Sequence, residues 1–127
     1  MLKVLIADDS TPIRERIIKL LSTLSDVEIA GEAIDGVETA VMVRKVHPDV
    51  VILDLQMPKL SGLEILPRLK EMDPPPVVVV LTNYSSGPMK AMCTRKGADH
   101  FFDKSTEFEK AIAVIEGMSR VRATTLS

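Results

Sequence analysis

The sequence predicts an α/β protein built on one parallel sheet of five strands, with helices packed on both faces. Short apolar runs rich in β-branched residues alternate with helix-period segments five times along the 127 residues. Alternation this strict calls for right-handed crossovers, which lay the strands parallel. Four of the five apolar runs end on polar or charged residues, namely Asp8-Asp9, Asp54, Thr82 and Lys104. In a doubly wound sheet the carboxyl ends of the strands share one edge, so these side chains are predicted to meet there. The length, with 46% hydrophobic and 27% charged residues, suits a single soluble domain with one full core.

Lys3–Ala7 is the first strand. Thr11 is the expected N-cap of the first helix, with Pro12 at its first position and Ile13, Ile17, Leu20, Leu21 and Leu24 along one stripe. Val27–Ala33 follows as a strand whose Glu28 and Glu32 mark a partly exposed edge. Asp35 and Glu38 form a capping-box pattern for the second helix, which should stop near His47-Pro48. The run Val50-Val51-Ile52-Leu53 holds no polar residue and reads as a strand buried on both faces. It drives into Asp54, and a turn at Met57-Pro58 follows at once. Ser61 and Glu64 open the third helix with another capping box. Pro67 lies about two turns inside it, at a cost of roughly 3 kcal/mol unless the helix kinks or its regular bonding ends early.

Pro74-Pro75-Pro76 stops any helix and feeds Val77–Leu81, the most apolar strand. Ser86, Gly87 and Pro88 start a fourth helix that ends at Gly97. His100–Asp103 is a short last strand. Thr106 and Glu109 suggest a capping box for the final helix, with Phe108, Ala111, Ile112 and Ile115 facing inward. On that helix Val114, Met118 and Val121 form a second apolar line, which suits either a broad packing face or a partner surface.

A formal net charge of -2 gives no global argument for nucleic-acid or membrane binding. The single cysteine, Cys93, excludes an internal disulfide and a multi-cysteine metal site, and it reads as core packing with Met89. His47 reads as a loop residue and His100 as a partly exposed strand residue. No targeting or membrane-spanning segment is evident, which leads to the expectation of a cytoplasmic protein.

Three carboxylates at one sheet edge repel by about 4 kcal/mol per pair, at about 4 Å and an effective dielectric of about 20. Lys104 supplies one compensating charge. The remainder suits a small hard cation with oxygen ligands, Mg²⁺ or Mn²⁺ before Ca²⁺, and the lack of histidine and cysteine disfavours zinc. A carboxylate beside such a cation, an ammonium and a hydroxyl is suited to a phosphoryl group, with Asp54 as the in-line nucleophile.

Taken in order, these pieces resemble the receiver domain of bacterial two-component response regulators. The resemblance rests on Asp8-Asp9-Ser10, on Asp54-Leu55-Gln56-Met57-Pro58 with Gly62 and Glu64, on Leu81-Thr82-Asn83, and on the run from Gly97 to Ser105. It covers nearly the whole chain. It implies a flavodoxin-like (βα)5 doubly wound sheet with strand order 2-1-3-4-5, a receiver domain over residues 1–120, and a short polar tail over 121–127. The implied function is a phosphorylation-activated signalling switch in which Asp54 takes a phosphoryl group from a histidine kinase or phosphotransfer protein. Asp9, Asp54 and the backbone carbonyl of Gln56 would bind Mg²⁺, with Asp8 acting through water. Lys104 would pair with the phosphoryl oxygens, Thr82 would move toward them, and Phe101 would turn inward as the switch residue. Output would pass through the face made by the fourth helix, fifth strand and fifth helix, to a downstream protein or a second copy. The kinase would dock near Thr11, Ile13 and Arg14.

Two positions depart from the family pattern. Ser105 stands where a proline in a cis peptide often follows the lysine, and a trans bond is expected because a cis bond before a non-proline costs about 2.5–4 kcal/mol. Phe101 stands where tyrosine is often found, so its preference should rest on packing alone. A rival reading is a small Mg²⁺-dependent phosphatase of the haloacid dehalogenase type. That chemistry needs a second acid two residues past the nucleophile, where this chain has Gln56. A nucleotide-binding module is disfavoured because Asp8-Asp9-Ser10-Thr11-Pro12 is acidic and lacks a glycine-rich phosphate cradle.

Overall fold

The computed structural model describes residues 1–126, with side chains described through Arg122. Five strands and five helices alternate: β1 (Leu2–Ala7), α1 (Thr11–Leu21), β2 (Val27–Ala33), α2 (Gly36–Val46), β3 (Val50–Leu53), α3 (Gly62–Lys70), β4 (Val77–Thr82), α4 (Gly87–Arg95), β5 (His100–Asp103) and α5 (Phe108–Leu126). The strands are all parallel in the order β2-β1-β3-β4-β5. Strand order reverses at β1 and β3, so the predicted topology holds and the switch point falls between Asp8 and Asp54.

Period-two alternation along the strands divides the core into two layers. Leu5, Ala7, Val51, Leu53, Val78 and Val80 face Val43 of α2, Ile65, Leu66 and Leu69 of α3, and Cys93 of α4. Val4, Ile6, Ile52, Val79 and Leu81 face the opposite way, onto Ile17 and Leu21 of α1 and Phe108, Ala111 and Ile115 of α5. Helices α2, α3 and α4 therefore cover one face of the sheet, and α1 and α5 the other. Glu28 and Glu32 are exposed on β2, which forms one edge of the sheet.

Several helix ends differ from their sequence expectation. Ser10, not Thr11, caps α1: its backbone is extended and its hydroxyl accepts from the Ile13 N–H. Thr106 does not cap α5. Its hydroxyl and N–H both donate to Asp103 Oδ1, and the helix begins two residues later at Phe108. Asp35 caps α2 through the Glu38 N–H, and Ser61 and Glu64 form the full reciprocal capping box of α3. Helix α3 runs through Pro67 to Lys70 and closes with i→i−3 bonds from Glu71 and Met72, so helical structure outlasts the proline by three residues. Helix α5 includes residues 121–126, set apart in sequence as a polar tail, and Ser127 lies outside the described residues.

His47 ends α2 in the left-handed conformation, as an exposed C-cap. Cys93 is buried in the core with Met89 packed beside it. Val114 and Met118 are partly buried against the second layer, so packing accounts for them, whereas Val121 stays 68% exposed. Among the described residues no helix is long and apolar enough to cross a membrane.

Gly62 seats α3 directly on the segment that carries Asp54. A Cβ there would lie 2.0 Å from the Asp54 carbonyl oxygen, so one of two backbones would have to shift. Gly62→Ala is expected to lower unfolding stability by about 2 kcal/mol or more in a urea titration. Gly87→Ala, where a Cβ meets nothing within 4 Å, should change it by no more than about 1 kcal/mol.

Candidate functional site

The strand ends meet as the topology requires. Asp54 N–H bonds to the Ala7 carbonyl, Asp8 N–H to Ala33 and Lys104 N–H to Thr82, so each functional residue extends a ladder of the sheet by one bond. Asp8 and Asp54 are buried, Asp9 is exposed, and Thr82 is wholly buried at the end of β4. Lys104 Nζ lies 2.7 Å from Asp8 Oδ2 and 3.1 Å from Asp54 Oδ2, and is itself 8% exposed. One buried ammonium thus bridges the two strands on either side of the switch point.

The remaining oxygens are held by backbone. Asp8 Oδ1 accepts from the Ser10 N–H at 2.8 Å, Asp54 Oδ1 from the Gln56 N–H at 3.3 Å, and Thr82 Oγ1 from the Tyr84 N–H at 3.1 Å. Burial raises the pKa of Asp54 above the ordinary carboxylate value; the Lys104 charge opposes that rise and the Asp8 charge adds to it. Burial pulls Lys104 downward, but its bond to Asp8 and the charges of Asp54 and Asp8 outweigh this, and the net shift is upward. Asp8, Asp54 and Lys104 therefore hold one another, with backbone N–H groups on the remaining carboxylate oxygens.

Asp8, Asp9 and Asp54 each offer a carboxylate oxygen, and these atoms lie within 4.8 Å of one another. Three carboxylates face one ammonium, and every donor is a hard oxygen. This donor set fits a divalent cation such as Mg²⁺ and offers nothing to a soft metal. Both oxygens of Asp8 already accept hydrogen bonds, from Ser10 and Lys104, while Asp9 remains open to solvent.

The loop after Asp54 is pinned from outside. Lys59, in the left-handed conformation, pairs with Asp35 at 3.4 Å, and Gly36 N–H bonds to the Pro58 carbonyl at 3.4 Å. The start of α2 therefore fixes the stretch that carries the Gln56 carbonyl.

Sequence reading passed over Asp103 and Ser85. Asp103 Oδ1 accepts from the N–H and hydroxyl of both Ser105 and Thr106, at 2.7–3.0 Å, and Oδ2 accepts from the Ser85 hydroxyl. The Ser85 bond, then those from Ser105 and Thr106, hold the Asp103 carboxyl well below the usual carboxylate range. This clamp joins the loop after Thr82 to the loop after Lys104. The sequence signal was Asp103-Lys104-Ser105-Thr106, an aspartate followed by two hydroxyl residues in the pattern of an Asx turn. Lys104–Ser105 is trans, as expected, since Asp73–Pro74 is the only cis bond among the described residues. Phe101 is buried among Val80, Cys93 and their neighbours, hence inward.

A doubly wound sheet whose carboxyl edge gathers three carboxylates and one ammonium presents a donor set that suits a divalent cation. The comparison with known families goes further. The model of the response regulator receiver domain matches residues 4–116, and the chain belongs to this family. It is a receiver domain, a phosphorylation-activated switch of two-component signalling.

Among its relatives is a protein-glutamate methylesterase/protein-glutamine glutaminase of Methanospirillum hungatei, 40% identical over 82% of this chain and 31% of that protein. Another is the transcriptional regulatory protein BtsR of Salmonella typhi, 42% identical over 81% of this chain and 41% of that protein. The matched segments thus span 31% and 41% of the length of these relatives. A similar solved structure is the CheX-CheY-BeF3-Mg²⁺ complex from Borrelia burgdorferi, with a TM-score of 0.83, 25% identity, and 92% of this chain and 88% of that chain covered.

Because Asp54 binds its proton more tightly folded than unfolded, its ionisation opposes folding. That penalty is absent below the unfolded value of 3.8 and grows as pH rises through the raised folded value. Without divalent cations, Asp54→Asn should therefore be more stable than the wild type at neutral pH, by on the order of 1 kcal/mol. In urea titrations the difference should shrink toward pH 4, and Mg²⁺ should narrow it by stabilising only the wild type.

Proposed function

We propose that Asp54 is the phosphoacceptor, taking a phosphoryl group from a histidine kinase or a phosphotransfer protein. The observation that carries this reading is the pair of bonds from Lys104 Nζ to Asp8 and Asp54, which places one cation against the acceptor carboxylate inside a buried acidic edge. An Asp54 oxygen attacks phosphorus in line, the P–O bond forms, and the P–N bond to the donor imidazole breaks. The imidazole leaves with its electron pair and takes a proton from solvent. Lys104 exchanges its carboxylate partner for a phosphoryl oxygen, and the Thr82 hydroxyl donates to another. Asp9, Asp54 and the Gln56 carbonyl would hold Mg²⁺, or Mn²⁺, with Asp8 acting through water. When bound, the ion supplies positive charge against the phosphoryl oxygens.

Thr82 moves toward the phosphoryl group by giving up its bond from Tyr84, and Phe101, already turned inward, repacks toward the space it leaves. Having no hydroxyl, Phe101 gains from its inward position through packing alone. The face made by α4, β5 and α5 then changes its affinity for a downstream protein or a second copy. The donor docks beside Asp9 at the start of α1, where Arg14 is fixed by Glu32, Thr11 and the Asp8 carbonyl. Gln56, exposed and without an acidic group, supports a phosphoryl-holding switch over a phosphatase that turns over external substrates. A cytoplasmic location accords with a donor of this kind.

Incubation with acetyl phosphate and Mg²⁺, followed by intact-mass measurement, should add one phosphoryl group to the wild type and none to Asp54→Asn. Lys104→Ala should keep the Asp8 and Asp9 carboxylates yet slow phosphorylation by about tenfold or more. An equal gain of mass in Asp54→Asn would rule the assignment out.

A further inference from the structure

Away from the acidic edge, the exposed side of α2 carries an unusual combination of side chains. Two of the six large hydrophobic residues most exposed among the described residues lie on it, Val37 at 46% and Val41 at 59%. Val37 and Val41 are one helical turn apart, and with Leu60 they line a groove of about 570 Å³ between α2 and the entry to α3. Arg44, Lys45 and Arg68 line the same groove. None of these three cations makes an ion pair among the described residues. Glu71 lies farther along, beside Arg44 and Arg68, and among the described residues it pairs with neither. The basic groups stand apart in a chain whose net charge is -2.

We infer that this groove docks an acidic amphipathic helix of a partner protein. The apolar floor accounts for the helix: residues at i, i+3, i+4 and i+7 can seat on Val37, Val41 and Leu60. The unpaired cations account for its acidity, since carboxylates flanking the apolar line would meet Arg44 and Lys45 on one wall and Arg68 on the other. An apolar floor gives no stacking platform and no phosphate cradle, so a nucleic acid fits the groove less well. The surface is on the face of the sheet opposite α1 and α5, away from the start of α1 where the phosphoryl donor is placed. Its occupation does not depend on Asp54 being the phosphoacceptor.

The test is a titration of the ¹⁵N-labelled full chain, without phosphodonor, followed by amide shifts. The probe is a helical peptide of about 18 residues with leucines at helical spacing and glutamates on their flanks, beside its Glu→Gln counterpart and a single-stranded oligonucleotide. The expected result is saturable shifts at Val37, Val41, Arg44 and Arg68 with the glutamate peptide, weakening as ionic strength rises. Arg44→Glu with Arg68→Glu should weaken that binding by about tenfold or more, and Val41→Ser should weaken it with every charge of the groove kept. Equal binding of the Glu→Gln peptide, stronger binding of the oligonucleotide at these residues, or no shift at the groove would each overturn the inference.

Discussion

The bridge from Lys104 to Asp8 and Asp54 is the constraint on which the rest of the structure depends. A buried carboxylate is costly unless something positive replaces the water it has lost. Here two carboxylates are buried side by side, with a third within reach, and one ammonium from the far side of the sheet serves both. The arrangement is charge-deficient by construction. It is stable enough to fold, yet it retains negative charge that a divalent cation can neutralise.

Most of the fold serves to hold that deficiency in place. The parallel order β2-β1-β3-β4-β5 puts β1 and β3 side by side, so their terminal aspartates cannot avoid each other. Gly62 brings the start of α3 against the Asp54 carbonyl, and Asp35 with Lys59 fixes the loop between them. Asp103 ties the loop after β4 to the loop after β5 through Ser85. The loops around the site are thus braced by polar contacts that lie outside it. Asp54 and Lys104 are in direct contact, so a change of charge at Asp54 acts on Lys104 first.

Sheet topology and the identity of the strand-end residues were legible because they follow from strong, local signals. An apolar run such as Val50–Leu53 ending in Asp54 admits few readings, and five such runs in alternation admit one architecture. What escaped was decided by competition among neighbouring polar groups. Ser10 and Thr11 are both good N-caps, and only the backbone conformation at Ser10 selects it. Thr106 looked like a cap, but its N–H and hydroxyl donate to Asp103, and α5 begins only at Phe108. The exposed valines of α2 went unremarked, because periodicity does not tell which side of a helix a neighbour will cover. The clamp at Asp103 required knowing that Ser85, 18 residues away in sequence, returns to it in space.

The central claim is that this edge is completed by a divalent cation and a phosphoryl-like anion together, with Asp54 as the attachment point. Titration of beryllofluoride, a phosphoryl mimic, into the ¹⁵N-labelled chain with and without Mg²⁺ tests it most directly. The account predicts a single saturable site that needs Mg²⁺, disappears in Asp54→Asn, and shifts Thr82, Phe101 and Lys104 together. Mg²⁺-independent binding, or binding that persists in Asp54→Asn, would contradict it.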